Sequence, residues 1–149
     1  MKYCILSLFC FLIIACNNDK KDNFRAENEA EIEKYLEENN LTAQKSSSGL
    51  YYIIQSAGTG NQPTASSNVT VAYKGYYTNK SVFDESGPEG ISFGLQQVIA
   101  GWTEGITYFK EGGRGILLVP SHLGYGSNDN RGIPGGSVLI FEVNLISVN

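Results

Sequence analysis

The sequence predicts an α+β fold: an antiparallel sheet packed on one short helix, preceded by an N-terminal helix. Three observations predict it. Apolar residues recur at helical spacing in only two places, about residues 24–40 and about residues 99–109. Between and after those stretches the chain runs in short alternating apolar and polar segments, the period of half-buried strands. The 17 glycines point to many turns rather than long helices. At 149 residues there is room for one domain with a real core and something smaller beside it.

The N-terminus reads as a targeting segment, residues 1–15. Lys2 gives a short positive region, and Ile5 to Ala15 form an apolar run too short to span a bilayer comfortably. It ends in Ile13-Ile14-Ala15-Cys16 and turns polar at Asn17-Asn18-Asp19. A signal ending in a small residue and cysteine resembles a bacterial lipoprotein box, which implies acylation of Cys16 after cleavage. Cys4 and Cys10 leave with the signal, so of the three cysteines none is free for a disulfide. The exported chain must then be held by core packing. More than one acyl chain anchors stably, since each buried methylene contributes about 0.8 kcal/mol.

Residues 16–23 read as a polar tether, and residues 24–48 as an N-terminal helix and linker. Ile32, Tyr35 and Leu36 form one apolar stripe among glutamates, too short for a coiled coil and suited to docking on the domain or a partner. Lys45-Ser46-Ser47-Ser48 is linker by composition. Residues 49–149 form the main domain. Leu50 to Gln55 reads as a strand closed by a glycine-rich turn. Val69, Val71 and Tyr73 share one face of the next strand, Thr78-Asn79-Lys80 turns it, and Val82-Phe83-Asp84 starts the return. Ile91 and Phe93 line a further strand. Trp102, Ile106 and Phe109 then give the short helix a single apolar face. Ile116 to Val119 is a wholly apolar short strand, residues 121–137 a long loop, and Leu139, Phe141, Val143 and Leu145 one face of the last strand.

Charge and motifs exclude several functions. The net charge of −4, with no basic cluster beyond Lys20-Lys21, gives nucleic acid no concentrated cationic face. Gly90-Ile91-Ser92-Phe93-Gly94 formally matches a nucleophile elbow, but Pro88-Glu89 precede it where a buried strand is needed. His122 is the sole histidine and no cysteine is available to help it, so no metal site is predicted. Gly112-Gly113-Arg114-Gly115 follows a helix instead of opening one, so it is no phosphate cradle.

What remains is an aromatic and aliphatic set with few polar tips. On composition alone such a set is more often core than site. Asp84 at a strand end and Tyr125 in a glycine-flanked loop pull the other way.

Seven segments then make the set specific: A-Y-K-G (72–75), V-F-D-E-S (82–86), Q-V-I-A-G-W-T-E-G (97–105), G-G-R-G-I-L-L-V-P (112–120), H-L-G-Y-G (122–126), G-I-P (132–134) and L-I-F-E-V-N-L (139–145). In that order they resemble the FKBP-type peptidyl-prolyl cis–trans isomerases, particularly bacterial envelope lipoproteins of that family. The resemblance implies a sheet half-wrapped around the short helix with a prolyl pocket between them. Trp102 would be the floor under the proline ring, and Tyr73, Phe83, Phe93, Val98, Ile99 and Phe141 the walls. The Ile99 N–H and the Tyr125 hydroxyl would bond substrate carbonyls, Asp84 would sit beside the rotating carbonyl, and Ile133 would line the loop over the site. The implied partners are proline-containing polypeptide clients, macrolide inhibitors and a membrane reached through the lipid anchor, in the bacterial cell envelope on the outer membrane or periplasmic face. No cofactor is implied.

The chain departs from the family pattern in places. The loop after Asp84 offers no arginine to its carboxylate, Gly124 stands where alanine is common, and Gly135-Gly136 where a proline often follows. These changes bear on inhibitor affinity and loop rigidity. A second function from another class, a non-catalytic proline-peptide-binding module or holdase chaperone, would use the same pocket. Such a module would be free to lose Asp84, which this chain retains.

Overall fold

A computed structural model describes residues 18–149, with side chains from Phe24 onward. The signal segment and Cys16 lie outside the described residues. Helix α1 spans Asn18–Glu38, so it starts inside the stretch expected to be a tether. The strands are β1 (Gln44–Lys45), β2 (Tyr51–Ser56), β3 (Asn68–Tyr76), β4 (Val82–Glu85), β5 (Ile91–Gly94), β6 (Arg114–Val119) and β7 (Leu139–Val148). Helix α2, Ala100–Gly105, runs on into a 3-10 turn over Ile106–Tyr108.

All seven strands join one antiparallel sheet in the order β1-β2-β6-β7-β3-β4, with β5 also on β3. Strand β3 pairs with β7 along its whole length, from Val69 opposite Val148 to Tyr76 opposite Ile140. Its other edge is shared: Asn68–Val71 meet β5, and Lys74–Tyr76 meet β4. Register shifts at Thr70/Val71 and Gly75/Tyr76 bend β3 at the points where bulges increase twist. The sheet curls, and α2 fills the concave side.

Two cores follow from the period-2 alternation of the strands. On the concave side Leu117, Val119, Leu139, Phe141, Val143 and Leu145 pack with Trp102, Ile106 and Phe109. On the convex side Ile116, Leu118, Val138 and Ile140 pack under Ile32, Tyr35 and Leu36 of α1. The uninterrupted apolar run of β6 is thereby explained, because both of its faces are covered. The stripe on α1 docks on its own domain. Its glutamates are not merely a solvated face: Glu29 pairs with Lys45, Glu31 accepts from the Thr78 hydroxyl at 2.5 Å, and Glu33 from the Tyr51 hydroxyl at 3.2 Å.

Candidate functional site

The concave core is left open at one end, where a cleft of about 400 Å³ lies between α2, β3–β5, β7 and the 121–137 loop. Strand β3 delivers Tyr73, β4 delivers Phe83 and Asp84, β5 delivers Phe93, and β7 delivers Phe141. Val98 and Ile99 enter from the residues just before α2, Trp102 from its first turn, and Tyr125 from the loop.

Trp102 is the hub of the aromatic packing. Tyr73 meets it edge-on at 5.0 Å between centroids, Phe141 at 5.2 Å, and Phe93 at 5.5 Å with a tilt of 50°. Phe83 stands edge-on to Phe141 at 5.6 Å. Such pairs contribute about 0.5–1.5 kcal/mol each beyond area burial, which fixes the rings before any ligand arrives. Gly75 makes this possible, since a Cβ there would come within 2.7 Å of Phe83 and 2.9 Å of Phe141.

The polar atoms are few. The Tyr73 hydroxyl donates to Asp84 Oδ2 at 2.6 Å. Burial pushes the Tyr73 phenol up, and the Asp84 carboxylate pushes it further, so Tyr73 stays protonated and holds Asp84 in place. Among the described residues, neither the Ile99 N–H nor the Tyr125 hydroxyl has an internal partner. Both are donors available to a ligand. The indole Nε1 of Trp102 is buried and likewise unpartnered among the described residues, which costs about 1–3 kcal/mol for a lost hydrogen bond.

The structure therefore brings together every residue the sequence placed at the pocket except Ile133. Ile133 is buried in the concave core and bridges Asn130 through the backbone, so it supports the loop from beneath without lining the cleft. Three lining residues escaped the sequence reading: Ile91, Gln97 and Arg131. Ile91 and Gln97 adjoin expected residues, and their exposure depends on how β5 and the turn after it are cut. Arg131 reaches the cleft from a loop far along the chain, and it is the cleft's one cation.

Ser92 lies on β5 with its hydroxyl 2.7 Å from that of Thr70, in a strand pair with no base nearby. His122 sits in a 3-10 turn with Nε2 2.8 Å from the Ser48 carbonyl, which makes Nε2 the protonated nitrogen. Among the described residues no three His, Cys, Asp or Glu side chains converge in a metal-holding group.

Residues 59–146 match the family of FKBP-type peptidyl-prolyl cis–trans isomerases. The chain is 45% identical over 107 residues to the FKBP-type isomerase FkpA of Buchnera aphidicola from Schizaphis graminum, covering 70% of this chain and 42% of that protein. It is 40% identical over 133 residues to FkpA of Escherichia coli K12, covering 87% of this chain and 49% of that protein. The chain thus spans about half the length of the curated relatives it matches. A crystal structure of FkpA from Escherichia coli superposes with a TM-score of 0.75 at 39% identity, over 89% of this chain and 64% of that one. A peptidyl-prolyl isomerase from Pseudomonas syringae superposes with a TM-score of 0.71 at 25% identity, over 91% and 97%.

Proposed function

The chain belongs to the FKBP-type peptidyl-prolyl cis–trans isomerases, and from that premise we propose that its aromatic cleft catalyses rotation about X–Pro bonds. The observation that carries this is the convergence of Tyr73, Phe83, Asp84, Phe93, Val98, Ile99, Trp102, Tyr125 and Phe141 on one open cavity.

Rotation about an X–Pro bond breaks amide resonance against a barrier of about 18–20 kcal/mol. No proton or electron pair is transferred, so neither nucleophile nor metal is required. The planar amide carries charge on oxygen and nitrogen, and water stabilises it. A preorganised aromatic box removes that water and can bind the twisted amide more tightly than either planar form. Trp102 takes the proline ring on its face. The Ile99 N–H and the Tyr125 hydroxyl donate to substrate carbonyls on either side of the bond. Asp84, fixed by Tyr73, lies beside the carbonyl that rotates.

Clients are proline-containing segments of exported or envelope proteins. The signal-like N-terminus ending at Cys16 supports this placement, with acylated Cys16 as the anchor. No described helix is long and apolar enough to cross a membrane.

The full chain should accelerate cis-to-trans conversion of a Phe-Pro or Leu-Pro peptide. Asp84→Ala should lower turnover about tenfold while leaving peptide affinity near wild type. Binding without acceleration would make the cleft a recognition module instead. Cys16→Ser should move the protein from the membrane fraction to the soluble one; unchanged membrane association would remove the anchor.

A further inference from the structure

Helix α1 does more than close the convex core, because one of its side chains reaches the loop that overhangs the cleft. Asn28 is only 1% exposed. Its Oδ1 accepts the Ser121 N–H at 2.8 Å, and its Nδ2 donates to the Gly136 carbonyl at 2.8 Å. Those two partners are the first residue of the 121–137 loop and one next to its end. A single amide from elsewhere in the chain therefore ties both ends of the loop together.

Bonds inside the loop shape it as well, among them the mutual backbone pair of Asn130 and Ile133 and the Gly135 N–H to Asp129 Oδ1. Gly126 donates to the Ser121 carbonyl at 2.8 Å, and Gly136 donates to the Gly126 carbonyl at 2.9 Å. Asn28 completes this chain of bonds, so Ser121, Gly126, Gly136 and Asn28 form one network that includes Gly126, the residue next to Tyr125. Phe24, one turn earlier on α1, packs so closely under Gly136 that a Cβ there would come within 2.2 Å of its ring. Gly136 also has φ +79°, a backbone state that glycine adopts without strain.

We propose that Asn28 is a positioning residue for the isomerase cleft: from the N-terminal helix it sets the seat of the loop that carries Tyr125 and Arg131. This rests on the isomerase reading above. The physical reason is the bidentate use of one buried amide. Its loss would leave the buried Ser121 N–H and the partly buried Gly136 C=O without their partner, and the loop would open to hydrate them. Such opening displaces the Tyr125 hydroxyl, and small displacements of a binding group weaken a preorganised site strongly. The consequence is that α1 belongs to the catalytic unit, and whatever holds or pulls on α1 also acts on the cleft.

The test compares the full chain with Asn28→Ala, Tyr125→Phe and the double variant, together with Asn28→Asp. Asn28→Asp keeps the shape and the acceptor for Ser121 but sets a buried carboxylate oxygen against the Gly136 carbonyl, so it strains that end of the loop most. Asn28→Ala should lower kcat/KM about tenfold in the native background but less than about threefold beside Tyr125→Phe, because both changes act on one hydroxyl. Asn28→Asp should lose at least as much as Asn28→Ala, because a buried carboxylate then faces the Gly136 carbonyl. Hydrogen exchange should speed up at the Ser121, Gly126 and Gly136 amides and stay unchanged in β7. Equal losses in both backgrounds with exchange raised throughout the sheet would reduce Asn28 to general stability and overturn the proposal. So would native kcat/KM and native loop exchange in Asn28→Ala. A wild-type chain with no isomerase activity would instead sink the isomerase reading, and the loop exchange would then decide the clamp by itself.

Discussion

The two faces of the same sheet are built from the same strands and finished in opposite ways. On the convex face, α1 covers Ile116, Leu118 and Ile140, and the polar groups it brings are partnered. Asn28 uses both ends of its amide, and the Tyr76 hydroxyl lies 3.5 Å from that of Tyr35 and 3.2 Å from Glu142. On the concave face, α2 covers only part of the sheet. Phe83 and Phe93 stay half-buried, Tyr125 is 36% exposed, and the buried Trp102 Nε1 has no partner among the described residues. One face spends its apolar surface on stability. The other leaves some of it open, as the proposed ligand site requires, and donors without partners among the described residues collect there.

The largest way to break this contrast is to remove α1. A chain lacking residues 18–40 leaves Tyr51, Tyr76, Ile116, Leu118 and Ile140 without their cover. Burying a large aliphatic side chain is worth about 1.5–3 kcal/mol, and α1 supplies Ile32, Tyr35 and Leu36. The melting temperature should fall by more than about 10 °C, with aggregation on heating, in a calorimetric scan. A truncated chain as stable as the whole would show that the convex face is not a structural core.

Single substitutions sharpen the same comparison. Leu118, fully buried on the convex side, should cost about 2–5 kcal/mol of unfolding free energy as Leu118→Ala, with the KM for a prolyl peptide within about twofold of native. Phe83→Ala removes a ring that touches Phe141 and Tyr77 but is only half-buried. Its loss of stability should be the smaller of the two, while KM rises about tenfold. Urea unfolding and steady-state kinetics on both variants decide the matter. A KM effect from Leu118→Ala equal to that from Phe83→Ala would erase the division between the faces.

Much of this division can be read from the amino acids. The 2.0 and 3.6 periods place both helices and the strands other than the two-residue β1, and the cleft residues follow from the family resemblance that the ordered segments around Tyr73, Asp84, Trp102 and Tyr125 carry. What escaped has physical causes. The α1 stripe suited docking on the domain or on a partner, and the apolar run of β6 is explained by the first, since α1 covers its convex face. Asn28 carries no hydrophobic signal, so a stripe built on Ile32, Tyr35 and Leu36 passes over it. Ile133 and Arg131 sit in an irregular loop, where no period tells which side chain turns inward. Ile133 turned to the core, and Arg131, with φ +50°, turned to the cleft.

Arg131 makes the open face electrostatically uneven, with Asp84 as its anionic counterpart on β4. A peptide with a glutamate next to the X–Pro pair should therefore be turned over better than its lysine counterpart. Arg131→Ala should lower kcat/KM for the glutamate peptide about two- to threefold relative to an alanine peptide, since exposed charge pairs are worth about 0–1 kcal/mol. The difference should fade above about 0.5 M salt, where screening shortens to a few ångströms. A salt-independent loss for all peptides would mean that Arg131 acts by packing.

The smallest expected effect lies outside both faces, at the joint between α2 and the linker ahead of β2. Glu104 accepts the Ser48 hydroxyl at 2.6 Å and the Tyr108 hydroxyl at 2.8 Å. Burial pushes its carboxyl up, but the hydrogen bonds from Ser48 and Tyr108, with the Ser46 hydroxyl beside them, together outweigh burial, so the folded pKa lies below the ordinary 4.5. Tyr108, pushed up to about 12 by burial and by Glu104, keeps its proton throughout. A carboxyl whose pKa is depressed on folding stabilises the protein above its unfolded value, and that contribution is lost as pH falls through the folded one. The melting temperature of the native chain should thus exceed that of Glu104→Gln slightly at neutral pH, and the gap should close as pH drops below 4.5. Because Glu104 lies outside the cleft, kcat/KM at neutral pH should match the native value. A gap that widened in acid would mean that the charged form is the one the fold disfavours, with burial outweighing the three hydroxyls.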